Sequence, residues 1–187
     1  MKNSSPLSQL ETLAAALLDG FKAELYLTPK PGLVDLLSNG SHPDLSLLLM
    51  SRSIVLLRQY FRELCQALVA EAGFLELVPI AQRAEARMLQ QLGTNSHRGG
   101  IFLAGLLLSA CRQADPRDLK AFRRAIAADA QLFFAWKAPI GSHGQQVRTT
   151  FQVGGIVTET CQGLPAVFEG ALPILLRPAS IAAAGRA

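Results

Sequence analysis

The stretch Ile101-Phe102-Leu103-Ala104-Gly105-Leu106-Leu107-Leu108-Ser109-Ala110-Cys111 carries no charge and is apolar all round. A helix of that kind is normally surrounded by other helices. It therefore constrains the whole chain: the expected architecture is all-α, a compact multi-helix bundle around a buried central helix over about 101–113. The polar segment Gly93-Thr94-Asn95-Ser96-His97-Arg98-Gly99-Gly100 leads directly into it. Polar, chemistry-bearing groups are thus fed into the middle of a bundle.

The enclosing helices are legible from caps and periodicity. Ser5-Pro6 and Ser8-x-x-Glu11 are both start signals, a cap ahead of proline and a capping box. Leu10, Leu13, Leu17 and Phe21 then recur at helical spacing, predicting a helix to about Tyr26. Thr28-Pro29-Lys30-Pro31-Gly32 stops it, because proline removes donors and glycine frees the backbone. Leu45, Leu48, Leu49, Leu56, Tyr60, Leu64 and Leu68 predict a second helix over about 43–72, ended by Gly73. A third is expected over about 75–92, with an irregularity at Pro79. Another is expected over about 116–136, striped by Leu119, Phe122, Ile126 and Phe133, and a last over about 165–175. Residues 149–160 are rich in strand-favouring types. A lone strand would be unstable, so helix or irregular structure is expected there. The tail 178–187 is weakly specified and expected to be poorly ordered. No internal repeat appears, and a single domain over 1–187 is the expectation.

Half of the residues are hydrophobic and 17% are charged, which supports a large core and excludes a disordered composition. A net charge of +4 favours an anionic ligand by steering. The densest basic patch, Lys120 with Arg123-Arg124, reads as the solvated face of a helix rather than a nucleic-acid groove. Cys65, Cys111 and Cys161 are widely spaced and lack C-x-x-C spacing, which argues against a zinc site or a disulfide framework. Buried free thiols fit a cytoplasmic protein. No apolar run reaches the length of a membrane span, since Arg52 interrupts 45–57, the best candidate.

All three histidines lie in short polar loops that also carry glycine. In Glu24-x-x-x-Thr28-Pro29-Lys30-Pro31-Gly32-Leu33-Val34-Asp35, two prolines stiffen the backbone around Lys30, an ammonium suited to phosphate. Glu24 and Asp35 flank it and could hold a hard cation. The same residues also suffice as a helix terminator with a solvated lysine. In Asn39-Gly40-Ser41-His42-Pro43-Asp44, capping and the helix dipole explain Asp44, while His42 has no packing duty and could be a base or a ligand. In the third loop, glycines before a helix expose amides that attract anions, and Arg98 adds a bidentate donor. The spacing is not that of a P-loop. His143, in Gly141-Ser142-His143-Gly144, is a weaker candidate, and Glu159 is a lone acid in an apolar stretch.

Together, Thr28-Pro29-Lys30-Pro31-Gly32-Leu33-Val34-Asp35, Asn39-Gly40-Ser41-His42-Pro43-Asp44 and Gly93-Thr94-Asn95-Ser96-His97-Arg98-Gly99 resemble the signature of the triphosphoribosyl-dephospho-CoA synthases. Gly163-Leu164-Pro165 and Ala171-Leu172-Pro173 are similar to that family's G-F-P and A-L-P pieces. The resemblance implies an all-α transferase that moves the triphosphoribosyl group of ATP to the 2′-hydroxyl of 3′-dephospho-CoA and releases adenine. The product is the prosthetic-group precursor of the acyl carrier protein of citrate lyase or malonate decarboxylase. It implies Mg²⁺ with the ATP, near Glu24, Asp44 and Glu159. It implies Lys30, Asn95, Arg98 and Gly99 as nucleotide- and phosphate-binding residues. His42, Asp35 and His97 are the candidate catalytic groups, with His42 or Asp35 favoured as the base. Neither nucleic acid nor membrane is an expected partner, and a homo-oligomer is left open. Val157-Thr158 stand where the family carries arginine-glycine, and family members continue well past the A-L-P piece. The alternative reading is a catalytically lapsed or auxiliary homologue that binds a nucleotide or partner without turnover.

Overall fold

A computed structural model of the protein describes residues 5–136 and 155–176. Among them every regular element is helical, so the all-α expectation holds. The chain divides into two compact units, Met1–Asp115 and Pro116–Ala187.

The first unit contains α1 (Pro6–Tyr26), α2 (Leu47–Val69), α3 (Phe74–Leu92) and α4 (Arg98–Gln113). Ser5, not Ser8, caps α1: its hydroxyl accepts the Ser8 N–H at 3.2 Å, and Pro6 supplies the first turn. α2 starts later than its apolar stripe suggests, because Ser46 captures the Leu49 N–H at 3.3 Å and leaves Pro43 and Asp44 in the loop. α3 opens at Gly73, whose N–H is held at 2.7 Å by the Glu76 carboxylate. It runs unbroken through Pro79, which is exposed and lacks the N–H that would bond the Leu75 carbonyl one turn back.

α4 is the enclosed helix. Ile101, Ala104, Gly105, Leu106, Leu108, Ser109 and Ala110 are all buried, and α1, α2 and α3 pack against it. It begins earlier than expected, so Arg98, Gly99 and Gly100 form its first turn rather than a loop before it. Tyr60 of α2 ties the two helices by donating its hydroxyl to the Ile101 carbonyl at 2.9 Å. Gly100 makes room for packing: a Cβ there would stand 2.6 Å from the Phe21 ring of α1 and force that ring to move.

In the second unit, α5 (Leu119–Trp136) is started by Asp118, which accepts the Ala121 N–H at 3.0 Å. A short helix, Gly155–Cys161, packs against α5, which settles the helical alternative for that part of 149–160. The chain then turns at Gly163 into a π-helical segment, Ala166–Ala171, and a final turn, Leu172–Leu175. Arg123 is not the solvated residue expected. Its guanidinium donates to the Gly163 carbonyl at 3.1 Å, pairs with Glu169 at 2.6 Å and lies 5.9 Å from the centre of the Phe168 ring. Lys120 and Arg124 are exposed.

Cys65 is buried, but Cys111 and Cys161 are only half-buried; none of the three is in a disulfide. No helix of the described residues is long and apolar enough to cross a membrane. The tail 178–187 and His143 lie outside the described residues.

Candidate functional site

The loop after α1 is folded on itself rather than extended. The Gly32 carbonyl accepts the Ser41 N–H at 3.1 Å, and the Leu33 N–H donates to the Lys30 carbonyl at 3.0 Å. Gly40, at φ +60°, comes so close to Gly32 that a Cβ would meet that residue's carbonyl carbon at 2.5 Å. Only glycine fits such a backbone approach. Val34 fastens the loop from below, in a small core with Leu25 of α1 and Ile54 of α2.

Two charged side chains organise this loop. The Lys30 ammonium turns back onto α1, donating to the Glu24 carbonyl at 2.8 Å and to Glu24 Oε1 at 2.7 Å. Its side chain is 9% exposed, so the lysine is not a free solvated cation. The buried Asp35 carboxylate accepts three backbone N–H groups: Lys30 at 2.9 Å on Oδ2, and Leu37 at 2.8 Å and Ser38 at 2.9 Å on Oδ1. The Lys30 and Leu37 amides, in that order, hold its pKa below the ordinary carboxylate value, against the smaller opposing effect of burial. Three donors on one carboxylate stabilise its charge and make it a poor proton acceptor.

His97 is the N-cap residue of α4 and is buried, at 7% exposure. Its Nδ1 lies 2.6 Å from Ser53 Oγ of α2 and 3.4 Å from Ser96 Oγ. The Phe21 ring meets the imidazole edge-on, with centroids 5.4 Å apart. Burial pushes the His97 pKa below its usual value, and the negative charge of Glu24 works in the opposite direction. The positive end of α4 also disfavours an imidazolium at this position. His97 does not cap the helix with its side chain. The amides of Arg98, Gly99 and Gly100 thus form the first turn of a helix without a side-chain cap among the described residues, the kind of arrangement that receives anions.

Asn95 and Arg98 are joined by a residue that sequence reasoning missed. Glu85 of α3 accepts the Asn95 amide at 2.9 Å and pairs with Arg98 Nε at 3.6 Å. Asn95 Oδ1 is buried without a hydrogen-bond partner among the described residues. Arg98 is 67% exposed. Ser53 was missed as well. Its only signal was a small hydroxyl between Met50, Ile54 and Leu57 on the apolar side of α2.

The structure thus gathers Glu24, Lys30 and Asp35 in one loop, places the charge of Glu24 within electrostatic reach of His97, and links Asn95 to Arg98. His42 is half-buried and Asp44 exposed. Among the described residues, no side-chain hydrogen bond or ion pair ties either of them to the others. Glu159 lies in the second unit, where Oε2 accepts the Ala166 N–H at 3.1 Å. No group of three His, Cys, Asp or Glu side chains among the described residues could by itself hold a metal ion.

Residues 10–186 match the model of the ATP:dephospho-CoA triphosphoribosyl transferase family. The chain belongs to that family. It is 37% identical to a probable 2-(5″-triphosphoribosyl)-3′-dephosphocoenzyme-A synthase of Pseudomonas putida, over 91% of this chain and 63% of that protein. It is 36% identical to the 2-(5″-triphosphoribosyl)-3′-dephosphocoenzyme-A synthase of Klebsiella pneumoniae, over 94% of this chain and 66% of the relative. The chain therefore spans less than two thirds of the length of these relatives. No solved structure matches it. The family match begins inside α1 and covers the folded loop, α4 and the second unit, so every candidate site residue falls within it.

Proposed function

We propose that this chain transfers the triphosphoribosyl group of ATP to the 2′-hydroxyl of 3′-dephospho-CoA, releasing adenine. The relatives' names supply the reaction. The observation that carries it to these residues is the placement of His97, a buried imidazole disposed to be neutral, at the uncapped start of α4 beside the Lys30 loop. In the reaction the C1′–N9 bond of ATP breaks and a bond forms between C1′ and the acceptor oxygen. The acceptor proton must leave, and the departing adenine must gain one. The centre developing at C1′ is oxocarbenium-like, as in glycosidic cleavage.

His97 is the group we assign to the acceptor proton. Its pKa is lowered by burial, which keeps it unprotonated at neutral pH and able to accept. Asp35 is less suited, because its lone pairs are already committed to three amides. We assign it the task of holding the Lys30 loop closed. His42 stays a second candidate on that loop. Phosphate oxygens would meet the Arg98, Gly99 and Gly100 amides, the Arg98 guanidinium, and Lys30 once Glu24 yields it.

Mg²⁺ would neutralise charge on the triphosphate. The described residues form no cage for it, which fits an ion held mostly by phosphate oxygens and water. Glu24 and Glu159 already have protein partners. Asp44 has none among the described residues and is the carboxylate we assign to that water shell.

The test is adenine release from ATP with MgCl₂ and 3′-dephospho-CoA, followed by chromatography. Adenine and the triphosphoribosylated product should appear in equal amounts. His97→Gln should lower kcat by about 10²–10⁴-fold, the usual contribution of a positioned base. Binding of both substrates with no adenine released would overturn the proposal in favour of a nucleotide-binding homologue without turnover.

A further inference from the structure

We infer that Ser53 is a positioning residue that fixes His97 as its Nδ1–H tautomer and so presents Nε2 as the proton acceptor. The statement about reactivity rests on the reaction proposed above; the statement about the tautomer does not. Ser53 Oγ lies 2.8 Å from the Met50 carbonyl and 2.6 Å from His97 Nδ1. A hydroxyl has one proton to donate. The Met50 carbonyl can only accept, so the hydroxyl proton goes there, and Nδ1 must carry the proton of the second contact. The reverse assignment would press the Ser53 oxygen against the Met50 oxygen at 2.8 Å with no proton between them.

The surroundings make this arrangement hard to escape. Ser53 is fully buried at 0% exposure, so water does not compete for its oxygen. Ser96 Oγ approaches the same nitrogen and not the other. Phe21 stands edge-on to the imidazole and restricts its rotation. Nε2 has no hydrogen-bond partner among the described residues. The imidazole is therefore held by one nitrogen and offered by the other, the division of labour that oriented catalytic histidines use.

Nitrogen-15 NMR of the whole chain reads the tautomer directly, with the His97 signals identified by their loss in His97→Gln. Nδ1 should be pyrrole-like and Nε2 pyridine-like at neutral pH, and Ser53→Ala should shift both toward a mixture. In the adenine-release assay Ser53→Ala should lower kcat by about 10–100-fold, the scale seen when an orienting partner is removed, with KM nearly unchanged. Ser53→Thr, which keeps the hydroxyl, should restore most of the loss. A pyridine-like Nδ1 in the unaltered protein overturns the inference outright, and so do nitrogen shifts and kcat unaffected by Ser53→Ala. Expected shifts in a chain that never releases adenine would sink the proposed reaction and leave the tautomer assignment standing.

Discussion

Replacing Gly40 by alanine should open the loop that carries Lys30, Asp35 and His42 while leaving the helices folded. Gly32 and Gly40 make a controlled pair. Both have left-handed backbones, at φ +79° and +60°. Alanine in that region costs about 1–2 kcal/mol, offset by about 0.4–1 kcal/mol from a stiffer unfolded chain. At Gly32 that is nearly the whole effect, because a Cβ there meets only Ser41 Oγ at 3.6 Å. At Gly40 the Cβ would sit 2.5 Å from the Gly32 carbonyl carbon and 2.6 Å from Leu33 N. Those are backbone atoms and cannot rotate aside. Relieving the overlap costs about 1–3 kcal/mol as overpacking. Separating the two strands of the loop also loses the Ser41–Gly32 hydrogen bond, about 1 kcal/mol. Gly40→Ala should therefore destabilise the closed loop by about 2–6 kcal/mol and Gly32→Ala by less than about 2 kcal/mol. Amide exchange at Leu33 and Ser41 is the assay, since both N–H groups bond within the loop. At tenfold per 1.4 kcal/mol, Gly40→Ala should speed exchange there by at least about 30-fold, and up to about 10⁴-fold. Amides within α4 should change little. Equal acceleration in the two variants would refute the backbone-approach argument.

Tyr60→Phe should lower stability to urea by about 1 kcal/mol, the worth of its buried bond to the Ile101 carbonyl; a gain in stability would contradict that. Glu85→Ala frees both Asn95 and Arg98 and should weaken equilibrium ATP binding by about 5- to 10-fold, or about 1 kcal/mol. Unchanged affinity would remove Glu85 from the site. His97 gives a pH signature whose sign is fixed by its lowered pKa. Below the ordinary value of 6.5 the unfolded chain takes up a proton that the native state resists. The stability linked to His97 is full above that pH and is lost as pH falls through the folded value. Urea midpoints should decline over that window, and His97→Gln should flatten the slope; an unaltered slope would show that other groups set it.

The fold was legible wherever burial left no choice. α4 could be read because an uncharged helix has nowhere to go but inside. Helix starts were less legible, because several residues could cap each one. Ser5 prevails over the Ser8–Glu11 box since Pro6 already has first-turn geometry. Ser46 prevails over Asp44 by capturing a specific amide, that of Leu49. In Gly155–Cys161, strand-type residues settle into the expected helix for a local reason. Thr160 turns its hydroxyl onto the Ile156 carbonyl at 2.7 Å and satisfies itself inside a helix.

The candidate site divides along a similar line. Loop motifs showed which functional groups are offered, but not what each one does. Lys30 and Asp35 read as ligands for phosphate and cation, yet the fold commits them first to Glu24 and to three loop amides. Their charges hold the loop shut before any substrate arrives. His97 read, with His42, as one of two loop histidines inside the motifs, and what sets it apart is a serine 44 residues away in sequence. No local pattern marks Ser53, because a small hydroxyl on an apolar helix face is equally consistent with a bond to its own backbone, which it also makes. That second bond is what turns a contact into an instruction: by taking the hydroxyl proton, the Met50 carbonyl decides which imidazole nitrogen must hold its own. The atoms of the chemistry are thus written in the loops, and their protonation is written in the packing of α2 against the start of α4.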